Sequence, residues 1–216
     1  DGNVLVRIDF SSLNFKDALI LNNGGRIVKK YPFVPGIDFS GTVEESEDEK
    51  FKKDDKVILT GFRVGEIYYG GFSQYAKVNS DFLVKLPKDL TNKKAMMMGT
   101  AGLTALLCSF AVKAKEELLM GSKVKDVLVT GATGGVGSFA VMALSKMGYD
   151  VHAVTGKKDK HDYLKKLGAK NILDRKEFMG ESKLLEKGMW DCVVDNVGGE
   201  GLTKILAQTK PGGIVA

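Results

Sequence analysis

The stretch VLVTGATGGVG, from Val127 to Gly137, carries an apolar run into a turn built of small residues. Turns of this kind cradle phosphate, because little side chain stands between backbone N–H groups and an anion. Ala132-Thr133-Gly134-Gly135-Val136-Gly137 fits A-x-G-x-x-G, the alanine-first form of the dinucleotide fingerprint. The small residues permit a tight turn and close backbone approach to a pyrophosphate. Gly137 is expected to let the following helix pack closely on the strand. The bland alternative is a plain strand-to-helix turn, but the motif sits between a strand and a helix, the context it requires.

In sites for NAD, an Asp or Glu about 20 residues further on binds the ribose 2′-hydroxyl. Here the second strand runs into Val154-Thr155-Gly156-Lys157-Lys158, with no acid. A carboxylate there repels a 2′-phosphate, whereas a hydroxyl, an open backbone and an ammonium attract one. Arg175 follows the third strand, NILD, which the usual order sets beside the second. Its guanidinium is placed to stack on adenine or reach the phosphate. Lone basic residues are often solvated surface cations; gathered around an absent acid, these favour NADPH.

The elements that must position these residues fall into two regimes. From Asp1 to about Pro87, short strands divided by turn residues (VLVRIDF, GTVEES, DKVILTG, GGFSQYAKV, FLVKLP) predict a barrel or sandwich, with one helix in NFKDALILN. From about Asp89 onward the pattern changes. A long helix-favouring segment from Asn92 to Leu119 is expected to break near Gly99 and Gly102. Strands and helices then alternate: DVLVTG, VGSFAVMALSKMG, DVHAVTG, KHDYLKKLGA, NILD, DCVVDNV, LTKILAQTK and GIVA. That alternation predicts a parallel sheet with crossover helices, an α/β architecture.

Composition narrows the class. The chain has 216 residues, 44% hydrophobic and 27% charged, with a formal charge of +5. Acids and bases interleave, so lysine-rich patches such as FKKDDK read as solvated faces, and no nucleic-acid partner is expected. The two cysteines, Cys108 and Cys192, read as buried thiols of a reducing compartment. No apolar run is expected to reach the roughly 20 residues of a membrane helix; the protein reads as cytoplasmic. It begins without methionine, almost inside a strand, and stops at GGIVA, which reads as a fragment truncated at both ends.

SSLNFKDALILNNG, PGIDFSGTV, VILTG, GGFSQYA, GTAGLTALLC, VTGATGGVGS, AVTGK and DYLKKLGA together resemble the zinc-free branch of the medium-chain dehydrogenase/reductase superfamily. Within it the pattern is similar to the acrylyl-CoA reductase group, whose members are often labelled quinone oxidoreductases. The resemblance implies a GroES-like β-barrel domain (1–92), a Rossmann domain (93–216), NADPH as hydride donor and a homodimer. It also implies site residues. Phe15, more often tyrosine in the family, belongs near the nicotinamide. Thr133, Gly134, Gly135 and Val136 belong at the pyrophosphate, and Thr155, Gly156, Lys157 and Arg175 at the adenosine phosphate. Position 157 is commonly arginine. TGFRVGEIYYGG departs from the family, which usually has tryptophan at 62 and a small residue at 63; this bears on the acyl group accepted.

Zinc-dependent relatives bind metal through Cys, His and acid side chains. In this chain Ile37 stands at the ligand-histidine position and Asn14 near a ligand cysteine, so no metal is expected. His152 and His161 read as structural. A metal-free enzyme can still reduce an activated alkene: hydride adds to the β-carbon of an α,β-unsaturated carbonyl and charge moves to the oxygen. Positioning can supply roughly 7–11 kcal/mol of that barrier, and oriented donors add to it. Asn14, Asp17, Tyr69 and Thr100 are candidates to line the cleft, Asn14 or Thr100 as donors to the ring amide or a carbonyl. Asp17 equally suits a helix start and Tyr69 hairpin packing. The expected activity is NADPH-dependent reduction of a short acyl-CoA such as acryloyl-CoA. Quinone or enal reduction is the rival, and a non-catalytic NADPH-binding sensor is the alternative from another class.

Overall fold

The computed structural model describes residues 2–22, 26–118, 123–180 and 187–216. Leu119 of the predicted long helix, and Asn23 and Gly24 of SSLNFKDALILNNG, lie outside them. The chain divides into two compact units, Asp1–Thr100 and Ala101–Ala216.

The first unit is an antiparallel sheet of β1 (Val4–Ser11), β2 (Asp38–Ser46), β3 (Lys56–Thr60), β4 (Tyr75–Val78) and β5 (Val84–Lys85). They lie in the order β4-β1-β2-β3-β5. Alternation sets its core: Val4, Val6, Phe39, Val43, Val57 and Leu59 are fully buried, as one face of a pleated sheet requires. Helix α1 (Phe15–Leu21) follows β1 directly. This antiparallel sheet is the all-β regime that the short strands predict.

Helix α2 (Asn92–Leu118) has one non-helical residue, Gly99, at φ 49° and ψ −153°. Gly102, the other expected break, stays helical, since a helical φ costs a glycine only about 1 kcal/mol against alanine. By length and composition Asn92–Glu117 could cross a membrane, which corrects the expectation that no apolar run approaches that length. In the fold its Ala105 and Val112 are fully buried in the second unit's core.

That second unit is a parallel sheet of β6 (Asp126–Val129), β7 (Asp150–Thr155), β8 (Asn171–Asp174), β9 (Trp190–Val194) and β10 (Thr209–Val215). The order is β10-β9-β6-β7-β8. Strand order reverses beside β6, so the crevice outside its carboxyl end is the topological switch point where such sheets bind ligands. Successive side chains enter opposite layers. Val127, Val129, Val151, Ala153, Cys192 and Val194 pack with Ala140 and Leu144 of α3 (Gly135–Lys146) and Leu164 of α4 (His161–Leu167). Leu128, Val154 and Val193 pack with Ile205 of α6 (Glu200–Gln208) and Phe178 of the short α5 (Arg175–Phe178). Both faces are thus covered, which explains the near-continuous apolar strands. This is the doubly wound Rossmann fold.

Both histidines serve this scaffold. His152 Nε2 lies 3.0 Å from Asp126 Oδ1, and its ring packs on Trp190 at 4.8 Å; His161 opens α4. The cysteines are free, and burial pushes both thiols above their ordinary pKa.

Candidate functional site

The glycine turn is held by its own backbone. Gly131, just past β6, sits at φ 56°, a left-handed conformation that costs any side-chain-bearing residue. Gly134 N–H donates to Gly131 O at 2.9 Å. Gly134 then caps α3 with no side-chain acceptor, so the first amides of the helix carry no cap and remain available to an anion. A Cβ on Gly137 would stand 2.3 Å from Gly131 O and 2.8 Å from Ala132 Cα. Gly137 therefore lets the helix start pack closely against the end of the segment DVLVTG and the turn that follows it. Gly131 was missed by the A-x-G-x-x-G frame, although a glycine closing a strand is a signal for this conformation.

The neighbouring strand end completes the cradle. Thr155 is buried, with Oγ1 3.4 Å from Thr133 Oγ1 and accepting from Lys157 N–H at 3.1 Å. Arg175 lies across Gly156: a Cβ there would come 3.3 Å from its Nε. Thr133, Thr155, Gly156, Lys157 and Arg175 are thus brought together, the two cations exposed and, among the described residues, without an ion pair. An acid does stand nearby. Asp174 is in register with Thr155, but its carboxylate accepts from Lys176 N–H at 2.8 Å and Glu177 N–H at 3.4 Å. The Lys176 amide, helped by Glu177 N–H and the charges of Lys158 and Lys176, outweighs desolvation and holds its pKa low. It is committed to capping α5.

Opposite, the loop after β9 folds over the turn. Asp195 accepts the Thr130 hydroxyl and the amides of Val197 (3.3 Å) and Gly198 (2.9 Å). Asn196 Nδ2 donates to Thr130 O at 2.8 Å. A Cβ on Gly131 would meet Asn196 Cβ and Val197 Cγ2, each at 3.3 Å. Beside this loop a cavity of about 690 Å³ is lined by Arg175, Met179, Val197, Gly198, Thr203 and Lys204. The sequence reading passed over the loop, whose signal is the paired glycine of DNVGG.

In the first unit a second polar cluster centres on Asp38, which is fully buried. Its Oδ1 accepts from Ser12 N–H (3.2 Å) and the Ser12 hydroxyl (2.6 Å). Its Oδ2 accepts from Asn14 Nδ2 (3.2 Å) and Thr100 N–H (2.8 Å). A Cβ on Gly99 would come 2.8 Å from Asp38 Oδ2 and 2.6 Å from Ser12 Oγ, so the break in α2 is what lets the chain meet this carboxylate. Asn14 and Thr100 are brought together by a residue the sequence reading left out. Asp17 is fully buried at the start of α1, accepting from Gly36 and Ile37 N–H (3.2 and 3.0 Å) and Asn14 N–H (2.8 Å). With three amides on a sealed carboxylate, it pins the helix to the entry of β2 and lines no cleft. Tyr69 is 65% exposed, its ring 5.6 Å from that of Phe33. Phe15 is 81% exposed.

Among the described residues no group of three His, Cys, Asp or Glu side chains stands close enough to hold a metal ion. The donor set at Asn14 and Ile37 does not fit zinc, which takes thiolate, imidazole or carboxylate.

Comparison with known proteins adds to this geometry. Residues 1–88 match the family model described as the alcohol dehydrogenase GroES-like domain. Residues 135–216 match the one described as zinc-binding dehydrogenase. Acrylyl-CoA reductase AcuI of Ruegeria pomeroyi is 50% identical over 100% of this chain and 64% of its own length. YhfP of Bacillus subtilis, named as a quinone oxidoreductase, is 46% identical over 100% and 64%. The crystal structure of Escherichia coli K-12 YhdH with bound NADPH superposes with a TM-score of 0.93 at 47% identity, covering 100% of this chain and 65% of that one. The chain thus spans just under two thirds of these relatives.

Proposed function

The chain belongs to the medium-chain dehydrogenase/reductase superfamily, in its AcuI/YhdH-type group, and from that membership we propose that it reduces the C=C bond of a short α,β-unsaturated acyl-CoA, acryloyl-CoA to propionyl-CoA, with NADPH. The observation that carries the reading is the cradle at the end of β6 and β7. There an uncapped helix start, the Thr133–Thr155 pair and the exposed Lys157 and Arg175 gather around a turn that admits no Cβ at Gly137.

The residues fit the coenzyme. The amides of Gly135, Val136 and Gly137, at the helix start that Gly134 opens, with the Thr133 hydroxyl, would hold a pyrophosphate at a helix N-terminus. Thr155, the open backbone of Gly156, Lys157 and Arg175 would take the 2′-phosphate, Arg175 by its planar fork. The cavity beside Val197 suits the adenine. When bound, NADPH supplies the hydride that adds to the β-carbon. The part of this chain is then to hold the acceptor and stabilise charge on its carbonyl oxygen. Asn14 and Thr100, aligned by the buried Asp38, serve as donors to that oxygen or to the ring amide, with Phe15 near the ring. Asp17 acts through Asn14 as a positioning residue. Water returns a proton to the α-carbon. The protein acts as a homodimer in the cytoplasm, on a small molecule, with no metal.

Loss of NADPH absorbance with acryloyl-CoA against a quinone tests the proposal. Fast turnover of acryloyl-CoA is expected. Turnover of the quinone alone overturns the acyl-CoA reading in favour of the activity for which the Bacillus relative is named. NADPH binding with no turnover of either makes the chain a sensor.

A further inference from the structure

The strained part of the loop TGFRVGEIYYGG borders a cavity wholly within the first unit. This cavity of about 680 Å³ is lined by Lys29, Lys30 and Phe33 from the segment before β2, and by Arg63, Glu66 and Tyr69 from the loop after β3. Phe62 and Arg63 both hold positive φ, 51° and 62°, which is costly for residues with side chains. The fold sustains it: Glu66, Ile67 and Tyr68 N–H all converge on Arg63 O at 3.1, 2.9 and 3.3 Å, and the Phe62 ring stacks on Phe82 at 4.8 Å. Arg63 is thereby held at the rim.

The chemistry of the lining is specific. The one acid, Glu66, is engaged by Lys16 at 2.7 Å and lies 3.9 Å from Arg63 Nε. Among the described residues Lys29 and Lys30 form no ion pair, so positive charge is in excess. Phe33 and Tyr69, tilted at 51° with centroids 5.6 Å apart, supply aromatic surface. Cations beside aromatic rings, in a space within the ~300–1,000 Å³ of small-molecule sites, suit a ligand with phosphates and a flat base.

We propose that this cavity holds the phosphorylated adenosine end of coenzyme A, with Lys29, Lys30 and Arg63 on its phosphates and Phe33 and Tyr69 against the adenine. The proposal rests on the acyl-CoA reading above and deepens it. A quinone carries neither phosphate nor purine, and the adenosine of NADPH has its own cradle in the second unit.

The experiment compares acryloyl-CoA, acryloyl-3′-dephospho-CoA and acryloyl-pantetheine as substrates of the NADPH-loaded protein, in wild type, Arg63→Glu and the double variant Lys29→Glu/Lys30→Glu. In wild type, KM is expected to rise in that substrate order. Each charge reversal is expected to raise KM for acryloyl-CoA roughly tenfold or more, with that for acryloyl-pantetheine nearly unmoved. Equal KM values for acryloyl-CoA and acryloyl-pantetheine in wild type overturn the subsite, as does a variant that shifts both alike. Calorimetry with free coenzyme A keeps the two readings apart. If no thioester is reduced, the substrate reading has failed; coenzyme A that still binds, and binds about tenfold more weakly to the double variant, supports the subsite. Absence of binding overturns it.

Discussion

Lys157 is the side chain on which the choice between two coenzymes is proposed to turn. It is exposed at the end of β7, its amide held by Thr155 Oγ1, so replacing it disturbs charge and little packing. Lys157→Asp would set a carboxylate where a 2′-phosphate is proposed to lie. The expected outcome is a KM for NADPH raised roughly tenfold or more, the loss of one charge-assisted contact and the gain of one repulsion, with NADH affected much less. Equal losses for both coenzymes would refute the assignment. Residues at this site were legible where the chemistry is local: the glycine turn and Thr155-Gly156-Lys157 announce themselves within a few positions. Asp38 did not, because its donors Ser12, Asn14 and Thr100 lie 26, 24 and 62 positions away. No spacing rule connects them. Asp174 was passed over for a related reason: its register with Thr155 belongs to the folded sheet.

At the scale of elements, the parallel strands were readable from their apolar runs, and the break at Gly99 from its residue type. What the sequence hid were pieces defined by caps and partners. Helix α5 is four residues long and stands on the Asp174 cap. Only Val84–Lys85 of FLVKLP pairs as a strand, since β3 offers it two partners. Asp191 shows how one carboxylate can fasten such pieces. From β9 it accepts Lys125 and Asp126 N–H (2.9 and 2.8 Å), at the start of β6, and Lys210 Nζ (2.8 Å), on β10. Desolvation works against its charge, but Lys210 and the two amides prevail and hold its pKa below the ordinary 3.8. A depressed folded-state value means stability that is present above the unfolded pKa and lost as pH falls through the folded one. Asp191→Asn is therefore expected to cost about 1–3 kcal/mol at neutral pH. The deficit should close toward zero as both proteins are acidified below the depressed value, followed by urea unfolding across pH. A deficit that stays constant with pH would show that the charge contributes nothing.

At the scale of the whole molecule, each unit has its own core, and the proposed coenzyme contacts divide unevenly. The pyrophosphate and 2′-phosphate groups fall to the second unit. A ligand that binds only the folded form stabilises it by RT ln(1 + [L]/Kd), about 2.7 kcal/mol at a hundredfold excess over Kd. Amides that close on the ligand should exchange most slowly. NADPH is therefore expected to slow hydrogen exchange at Gly131–Gly137, Thr155–Lys158 and Asp195–Gly199, more than in the strands Val4–Ser11 and Asp38–Ser46. NADH, which lacks the 2′-phosphate, should protect the glycine turn yet leave Thr155–Lys158 nearly as it was. Mass-spectrometric exchange with each coenzyme at equal saturation separates these patterns. Protection of Thr155–Lys158 to the same degree by both would mean that Thr155, Lys157 and Arg175 do not read the phosphate. Unchanged exchange at Gly131–Gly137 with either coenzyme would remove the helix N-terminus from the binding site.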